Sequence, residues 1–503
     1  MFGGVFSSVF KSVLDFMMLT FISVVLKFNH RAIMPNATFE CFIRRVIPMA
    51  NYVERVIEQC KKNNPGEVEF HQTVEEVLTS LKPVVEKHPE YEASALLERL
   101  VEPERGVTFR VVWVDDAGKV QVNKGYRYQF SSAIGPYKGG LRFAPNVYPG
   151  IIKFLGFEQI FKNSLTGLPI GGGKGGSDFD PNGKSDAEVM RFCQAFMTEL
   201  YRHIGANTDV PAGDLGVGAR EIGYMFGQYK RIVDKYEGVL TGKGIPYGGL
   251  LGRAEATGFG IVWYAEEMLK ANGEDFKGKN VAISGFGNVA WGTAWKLWEL
   301  GAKCVTISGP DGYIYDPDGI TTQEKVDYLL ELRGSGKNIC APYAEKFPNA
   351  KFFAGKKPWG VFQDTGCKID MFIPCAMQND VHMEHAKQIV EGGCKFYCEG
   401  ANMPTTNDAL EYLVENMIAV GPAKAANAGG VACSCIEMGQ NAGHTAFQHQ
   451  AVYDQLHQIM KNIYSACAKA GETYYGDKNA LVPGANIAGF ERVANAMMAQ
   501  GLV

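Results

Sequence analysis

The stretch that decides the fold is KNVAISGFGNVA, residues 279–290, in which a short apolar run leads directly into glycines. Gly285, Gly287 and Ala290 form the pattern G-x-G-x-x-A between a predicted strand and a predicted helix. The first glycine permits a tight turn, the second lets the backbone approach a pyrophosphate, and the alanine allows close packing of helix on strand. We interpret the stretch as a dinucleotide-binding turn; a glycine-rich packing corner is the alternative.

Short apolar runs alternate with helical patterns on the C-terminal side of this stretch. The runs are bounded by glycine, proline or polar residues and lie at 281–284, 304–308, 369–374, 395–398 and 417–420. Short buried strands separated by helices indicate an α/β fold with a parallel, doubly wound sheet of the Rossmann type.

The acid expected after the second of these strands is Asp311, which Gly312 follows. A carboxylate at this position would accept hydrogen bonds from the adenosine ribose hydroxyls and would repel a 2′-phosphate. No Arg or Lys lies immediately beside Asp311, so the sequence favours NAD over NADP as the cofactor. The alternative is that Asp311 only begins a turn with Gly312.

Upstream of residue 279 the sequence predicts helices and a pair of strands. Thr73 with a glutamate three residues on has the capping-box pattern that begins a helix, and Ser185 has the same pattern. Strands are predicted at 107–114 and 120–130, joined by a turn. The composition changes near residue 247, and the C-terminal part of the chain looks helical. We therefore expect two α/β domains with a cleft between them.

The first 48 residues differ from the rest of the chain. They contain an apolar run at 16–26 that is short for a membrane span but has the length of a signal peptide's apolar region. The segment is either a targeting peptide or a stretch upstream of the native protein, because Met49 directly precedes the first helical pattern. We expect a cytoplasmic protein, or a mitochondrial or other organellar one if the segment is a genuine targeting signal.

The charge balance and the cysteines exclude several classes of partner. Lys and Arg number 50 against 54 Asp and Glu, so the formal net charge is −4 and gives no general attraction for nucleic acid or a membrane. The 12 cysteines are scattered without C-x-x-C pairs, which favours a reducing compartment and small core residues over metal ligands. We expect no metal site.

Three cations stand in glycine-rich or polar segments before the dinucleotide-binding turn, namely Lys138, Lys162 and Lys174. Any one lysine is ordinarily a surface residue, but the glycines on both sides of Lys174 would let ligands approach its backbone. Ammonium groups that share a cleft lower one another's proton affinity, which suits acid–base work or carboxylate binding. Asp214, in a loop with glycine and proline, is either a turn residue or a proton shuttle.

Together these segments resemble the glutamate dehydrogenase family in its shorter, hexameric form, within the Glu/Leu/Phe/Val dehydrogenase superfamily. The resemblance runs from about residue 51 to the C-terminus, and its most specific stretches are 136–143, 154–159, 171–180, 209–220, 399–405 and 427–430. It implies a substrate-binding and oligomerisation domain at 49–248 and a dinucleotide-binding domain at 249–477. The helix at 478–503 is expected to pack back on the first domain.

The resemblance also implies roles for individual residues. Lys174 matches the catalytic lysine that polarises a 2-oxo group and activates water, and Asp214 matches the aspartate that moves protons. Lys162 matches the residue that holds the α-carboxylate, and Lys138 with Ser434 matches the pair that binds the side-chain carboxylate. The other implied pocket residues are Gln159, Gly139 and Gly140. The implied cofactor contacts are Gly285, Gly287, Asn288, Val289, Ala290, Asp311, Thr257 and Asn402.

The implied reaction converts L-glutamate, water and NAD or NADP into 2-oxoglutarate, ammonium and the reduced cofactor, in a homohexamer. Two alternatives remain. A sibling enzyme for an apolar amino acid would lack the pair Lys138 and Ser434, and a non-catalytic nucleotide-binding protein would lack Lys174 or Asp214. Met377 and Ala254 depart from the family pattern, and Met377 stands near the expected nicotinamide site.

Overall fold

The computed structural model describes residues 51–502 of the chain. The apolar run at 16–26, and with it the choice between a targeting segment and an upstream stretch, lies outside these residues. Residues from Val56 onward form one unit, which contains the site and all of the fold described below except the first four residues of the first helix. No helix within the described part is long and apolar enough to cross a lipid bilayer.

The N-terminal half is a five-stranded mixed sheet packed against helices. Its strands are β1 (Arg105–Val114), β2 (Val120–Ser131), β3 (Tyr137–Phe143), β4 (Gly172–Ser177) and β5 (Asp209–Gly213). The sheet order is β1-β2-β4-β3-β5. The pairs β1–β2 and β2–β4 are antiparallel, and the pairs β4–β3 and β3–β5 are parallel. The helices are α1 (Tyr52–Asn63), α2 (Val68–Ser80), α3 (Lys82–Val85), α4 (Pro89–Ala93), α5 (Leu96–Val101), α6 (Pro149–Leu165), α7 (Asp186–Leu200) and α8 (Ala219–Val233).

The C-terminal half contains two further sheets. Its strands are β6 (Asn280–Ile283), β7 (Lys303–Cys304), β8 (Thr306–Gly309), β9 (Gly312–Tyr315), β10 (Lys351–Ala354), β11 (Met371–Ile373), β12 (Phe396–Cys398) and β13 (Ala419–Gly421). Its helices are α9 (Ala256–Ala271), α10 (Asn288–Glu299), α11 (Gln323–Gly334), α12 (Pro342–Lys346), α13 (Val361–Thr365), α14 (Met383–Glu391), α15 (Asn407–Asn416), α16 (Ala423–Ala426), α17 (Gly429–Ala442), α18 (His449–Tyr475) and α19 (Leu481–Gln500).

The predicted doubly wound parallel sheet is confirmed. Its order is β13-β12-β11-β6-β7, and every neighbouring pair is parallel. The chain turns to opposite sides of β6, so a crevice is expected between the carboxyl ends of β6 and β11. One predicted strand, 304–308, is divided: β7 ends at Cys304, and β8 joins β9 and β10 in a separate antiparallel sheet.

The two capping-box predictions have opposite outcomes. Ser185 caps α7 as predicted, because its Oγ accepts the Glu188 N–H at 3.1 Å. The prediction at Thr73 is wrong, since α2 begins at Val68 and Thr73 lies inside it. Phe70 is fully buried, so the turn before Thr73 is packed in the core, and the Thr73 hydroxyl donates to the Glu69 carbonyl at 3.0 Å.

Strand β4 explains the glycines on both sides of Lys174. The six residues of β4 are all buried, so the segment is an interior strand and not an open loop. A Cβ on Gly175 would lie 2.7 Å from the Tyr126 carbonyl oxygen and 3.0 Å from Arg127 Cδ, and one on Gly172 would lie 2.7 Å from Ile160 Cγ1. The glycines therefore leave room for backbone and side-chain atoms of neighbouring elements of the same protein. The sequence had suggested that they leave room for a ligand.

Arg127 lies in the space that these glycines leave and joins two strands of the mixed sheet. Its side chain crosses from β2 to β5, where Nε donates to Asp209 Oδ2 at 2.8 Å, and Nη1 donates to the Gly139 carbonyl at 3.1 Å. Gln129 Nε2 donates to the same Asp209 oxygen at 2.9 Å. The Arg127 and Asp209 side chains are both fully buried. Strand β5, which leads to Asp214, is thus held by a buried ion pair.

The last helix, α19, packs on α6 of the N-terminal half as well as on α18. Arg492 donates to the carbonyl oxygens of Ser164 at 2.9 Å and Leu168 at 3.0 Å. A Cβ on Gly489 would lie 3.0 Å from the Phe161 carbonyl oxygen, so the two helices approach closely there. These contacts link the C-terminal segment to the helix that carries Lys162.

The buried ion pair predicts a large effect of a small substitution. Asp209→Asn leaves the Arg127 charge buried without its counter-charge, so we expect the free energy of unfolding to fall by about 3–5 kcal/mol. Urea unfolding followed by circular dichroism, at one fixed protein concentration, measures the change. Glu199→Gln, which breaks the exposed 3.7 Å pair with Arg202, is the control and should change stability little. Equal unfolding midpoints for the two variants would contradict the structural role of the buried pair.

Candidate active site

A cavity of about 1030 Å³ lies between the mixed sheet and the side of the parallel sheet that carries the dinucleotide-binding turn. Most of the residues singled out in the sequence line this cavity. They are Lys138, Gly139, Gly140, Gln159, Lys162, Lys174, Asp214, Thr257, Asn288, Val289, Asn402 and Ser434. Residues that are far apart in the chain thus share one cleft.

Lys138 lies on β3 and is completely buried. Its Nζ donates to the Val210 carbonyl on the neighbouring strand at 2.8 Å. Burial lowers the pKa of Lys138 to about 7, and the Arg127 guanidinium acts in the same direction while Glu437 opposes it. An anion that enters the cavity would therefore raise the pKa of Lys138 and favour its protonated form.

Lys162 projects from α6 and is a half-buried cation of the cleft. Its Nζ donates to Asn402 Oδ1 at 3.3 Å, and Asn427 Nδ2 donates to the same oxygen at 3.0 Å. Burial lowers the pKa of Lys162 to about 8, and the positive charge of Lys174 contributes in the same direction. The contact with Asn402 joins the two halves of the chain across the cleft.

Lys174 and Asp214 form an ion pair at the centre of the cleft. Lys174 Nζ lies 3.0 Å from Asp214 Oδ1, and Arg142 Nε lies 2.8 Å from Oδ2 of the same carboxylate. Burial lowers the pKa of Lys174, although Asp214 opposes this shift, and Arg142 adds to the lowering. Burial alone would raise the pKa of Asp214, but Lys174 and then Arg142 outweigh it and hold the pKa well below its usual range.

Glycines at 139 and 140 allow these strands to come together. A Cβ on Gly139 would lie 1.6 Å from the Gly173 carbonyl oxygen, which no side chain could tolerate. A Cβ on Gly140 would lie 2.8 Å from Asp214 Cβ and 3.3 Å from Lys174 Nζ. Both glycines are therefore required by the packing around the ion pair.

Gln159 and Ser434 line the cavity from two helices. Gln159 Nε2 donates to Asn163 Oδ1 at 2.6 Å, and Asn163 Nδ2 donates to the Lys138 carbonyl at 3.0 Å. Ser434 Oγ donates to the Gly430 carbonyl one turn earlier in α17 at 3.1 Å. Side chains of both halves therefore surround the same space.

Glu437 lies one turn beyond Ser434 on α17 and forms a second buried ion pair. Its Oε1 lies 2.7 Å from Lys243 Nζ, and its Oε2 accepts the Gly242 N–H at 3.0 Å. Both side chains of this pair are almost completely buried. The pair anchors α17, and with it Ser434, to the loop that precedes residue 248.

The dinucleotide-binding turn has the geometry that its sequence predicts. Gly285 has φ +82°, a left-handed conformation that favours glycine. A Cβ on Gly287 would meet nothing within 4 Å, so this position leaves open space at the N-terminus of α10. Ala290 is fully buried, and Asn288 begins the helix. Open space before free helical N–H groups fits a pyrophosphate.

Gly285, Gly287, Ala290 and Asp311 are not among the residues that line the cavity. The Asp311 carboxylate accepts hydrogen bonds at 3.0 Å from the backbone N–H groups of Cys340 and Ala341. The backbone of Asp311 lies between β8 and β9, so it does occupy a turn. Its carboxylate is a fixed negative charge that follows the second strand of the parallel sheet.

Two arginines of the cleft have no role in the sequence-based prediction. Arg142 lies on β3 two residues after Gly140 and four after Lys138, and alternation along a strand places all three on one face. This alternation could have identified Arg142. Arg253 lies in the loop before α9 and lines the cavity, and its buried Nε has no hydrogen-bond partner among residues 51–502. No local pattern marks Arg253.

The arrangement has a clear chemical capacity. Five cationic side chains line the cavity against three carboxylates, those of Glu69, Asp214 and Glu255, and Asp214 is already paired with two of the cations. Such a site attracts a small anion with more than one carboxylate. An ammonium group of lowered pKa beside a carboxylate can also exchange protons near neutral pH.

Comparison with known proteins agrees with this geometry. The family model described as Glutamate/Leucine/Phenylalanine/Valine dehydrogenase matches residues 248–501, and the model of the Glu/Leu/Phe/Val dehydrogenase dimerisation domain matches residues 103–231. The NAD-specific glutamate dehydrogenase of Clostridium symbiosum is 62% identical over 90% of this chain and 100% of its own length. The NADP-specific glutamate dehydrogenase of Haemophilus influenzae is 53% identical over 86% of this chain and 95% of its own length.

Structural comparison gives the same answer. A solved structure of a glutamate dehydrogenase superposes with a TM-score of 0.87 at 61% sequence identity, and the match covers 90% of this chain and 100% of that one. The match to the dehydrogenase model alone spans residues 248–501, and a relative more than half identical is covered along its whole length. The chain belongs to the Glu/Leu/Phe/Val dehydrogenase family.

Proposed function

We propose that the chain catalyses the oxidative deamination of L-glutamate to 2-oxoglutarate and ammonium with NAD as the hydride acceptor, and the reverse amination. The observation that carries the proposal is the buried ammonium group of Lys138 in the same cavity as Lys162 and Lys174. A second buried cation beside an amino-acid site would disfavour an apolar side chain and favour a carboxylate. The names of the compared relatives support the same substrate.

In this proposal the two outer lysines bind the two ends of the substrate. Lys162 binds the α-carboxylate, and its contact with Asn402 supports that orientation. Lys138 binds the side-chain carboxylate together with the Ser434 hydroxyl. Gln159 and the backbone at Gly139 and Gly140 line the space between the two ends. Both carboxylates would restore the charge of lysines whose pKa values burial lowers to about 7 and 8.

Lys174 and Asp214 carry out the proton transfers. Bound NAD⁺ supplies the hydride acceptor, and Asn288, Val289, Thr257 and Asn402 line the cavity where it would be held. Neutral Lys174 accepts a proton from the water that adds to the substrate iminium carbon. The protonated lysine then gives this proton to the amino group of the addition product and takes the proton of its hydroxyl, so that the C–N bond breaks, the 2-oxo group forms and ammonia leaves. Asp214 takes a proton from the substrate amine and passes it to solvent. Because the pKa of Asp214 is lowered, the protonated carboxyl group releases this proton readily.

The Asp311 carboxylate and the identities to the compared relatives support the choice of NAD. The Asp311 carboxylate is held by two backbone N–H groups, so a 2′-phosphate near it would meet a fixed negative charge. Gly285, Gly287 and Ala290 would hold the pyrophosphate at the head of α10. The relative named NAD-specific is also more similar to this chain than the one named NADP-specific, at 62% against 53% identity.

Apolar side chains at the mouth of the cavity support a site that closes. Leu215 and Ile245 from one side, and Leu251 and Met377 from the other, line the cavity and are exposed. Closure would bury them and exclude water while the iminium is present. In this proposal residues 49–248 form the substrate domain and residues 249–477 form the cofactor domain.

The domain division and the assembly are further parts of the proposal. The segment 478–503 belongs with the substrate domain, which the packing of α19 on α6 supports. Four valines are exposed on the hairpin of β1 and β2, within the match to the dimerisation-domain model, namely Val112, Val114, Val120 and Val122. Burying such a surface against a second copy would be favourable, and we propose assembly to a homohexamer.

The substrate assignment predicts a change of specificity. The parent chain should oxidise glutamate far faster than leucine, and faster with NAD⁺ than with NADP⁺. Lys138→Leu with Ser434→Val removes the partners of the side-chain carboxylate, so the ratio of kcat/KM for glutamate over leucine should fall by about 100-fold or more. Steady-state assays on chains that begin at Met1 and at Met49 measure these ratios.

Lys162→Leu is the control for this substitution, because it removes the partner of the α-carboxylate that all amino acids share. It should impair oxidation of glutamate and leucine alike. An unchanged preference for glutamate in the double variant, or a parent chain that prefers leucine, would contradict the proposed pocket.

The role of Asp214 predicts that its substitution lowers turnover but leaves cofactor binding nearly unchanged. Asp214→Asn keeps the size of the side chain but cannot take a proton, so kcat should fall by about 10²–10⁴-fold while NADH binding changes little. Initial rates and NADH fluorescence titration measure the two quantities. Asp180→Asn, outside the cavity, is the matched control and should keep the parent rate. A near-parent kcat in Asp214→Asn would show that Asp214 moves no proton.

A further inference from the structure

Arg142 is the group of the cleft that holds the carboxylate of Asp214 from the side opposite Lys174. Its Nε donates to Asp214 Oδ2 at 2.8 Å, whereas Lys174 Nζ donates to Oδ1 at 3.0 Å. The Arg142 side chain is only 13% exposed, so this contact is largely shielded from water. Each carboxylate oxygen thus has one cationic partner, and the partners come from neighbouring strands, β3 and β4.

The two contacts fix the plane of the carboxylate. Asp214 follows β5 in a tight turn in which the Val217 N–H donates to its carbonyl at 2.9 Å. With Lys174 alone, the carboxylate could rotate about the bond from Cβ to Cγ and exchange its oxygens. The second donor removes this freedom, because a carboxylate with one cation on each oxygen has one favoured orientation.

The positive charge of Arg142 also affects the protonation of Lys174. The groups that face Lys174 and Asp214 are Arg142, Arg127, Lys162 and Glu158, besides each other. Burial and the positive charge of Arg142 both lower the pKa of Lys174, against the effect of Asp214. Without the guanidinium, the pKa of Lys174 would rise, and the neutral form would be reached only at higher pH.

We infer that Arg142 is a positioning residue of the reaction: it orients Asp214 towards the substrate amine and keeps Lys174 able to lose its proton at working pH. This inference rests on the proposed oxidation of glutamate. Arg142 acts through Asp214 and Lys174 and needs no contact with the substrate.

The test compares two substitutions in the full chain. Arg142→Gln removes the charge and Arg142→Lys keeps it, and both remove the donor at Nε. In glutamate oxidation with saturating NAD⁺, we expect kcat to fall by about tenfold or more in both variants, because a misplaced carboxylate transfers protons poorly. The pH at which kcat/KM rises should move upward in Arg142→Gln and stay near the parent value in Arg142→Lys.

Arg191→Gln is the matched control, because Arg191 also binds a carboxylate, that of Asp116 at 2.6 Å, but at the protein surface. It should leave both kcat and the pH profile unchanged. NADH fluorescence titration reports whether each variant keeps its fold. If Arg142→Gln no longer binds NADH, Arg142→Lys decides: a reduced kcat with an unmoved profile supports the inference, and a parent kcat overturns it.

Two further outcomes would overturn the inference. One is an unmoved profile in Arg142→Gln, which would mean that the charge of Arg142 does not act on Lys174. The other is a parent kcat in either variant. Failure of the proposed function is a different result, because the parent and Arg191→Gln would then also fail to oxidise glutamate.

Discussion

The rest of the site depends on one electrostatic constraint: three ammonium groups, two of them buried and one half-buried, share a single cavity. Lys138, Lys162 and Lys174 all line the cavity, and Asp214 is paired with the last of them. Buried charges are costly unless they are paired, so negative charge that enters the cavity would be bound favourably. A substrate with two carboxylates supplies that charge at the two lysines that Asp214 does not reach.

Glycines in β3 and β4 make this concentration of charge possible, because they let the strands approach one another closely. Gly139 and Gly140 let β3 approach β4 and Asp214 closely, and the glycines of β4 leave the space that Arg127 occupies. Arg127 then joins β2 to β5 through Asp209, and β5 ends beside Asp214. The glycine-rich sequence around Lys174 therefore positions the ion pair through close packing of the strands. It affects ligand binding only through the position of that pair.

Parts of the fold and site that depend on local patterns could be predicted from the sequence. The turn at Gly285, the cap at Ser185 and the apolar runs of the parallel strands are each visible within a few residues of sequence. The structure contains them all, except that the run 304–308 is divided between two sheets. The start of α2 was misplaced because the burial of Phe70, a tertiary effect, outweighs the capping pattern at Thr73.

The contacts that give the site its chemistry join residues far apart in the chain, and no local pattern reveals them. Arg142 reaches a carboxylate that lies 72 residues away in sequence, and Asp311 binds backbone groups about 30 residues away. The sequence did mark Lys138, Lys162 and Lys174 as unusual, because each stands among glycines or polar residues. Their common cleft becomes evident only when β3, α6 and β4 are brought together.

Proton uptake on binding of 2-oxoglutarate tests the central electrostatic claim most directly. Titration calorimetry at pH 8, in buffers of different ionisation enthalpy and with NADH bound, counts the protons taken up per site. Burial lowers the pKa values of Lys138 and Lys162 to about 7 and 8, and two carboxylates would raise both. The account therefore predicts uptake of about one proton or more per site. Binding of 2-oxoglutarate with no proton uptake would contradict it.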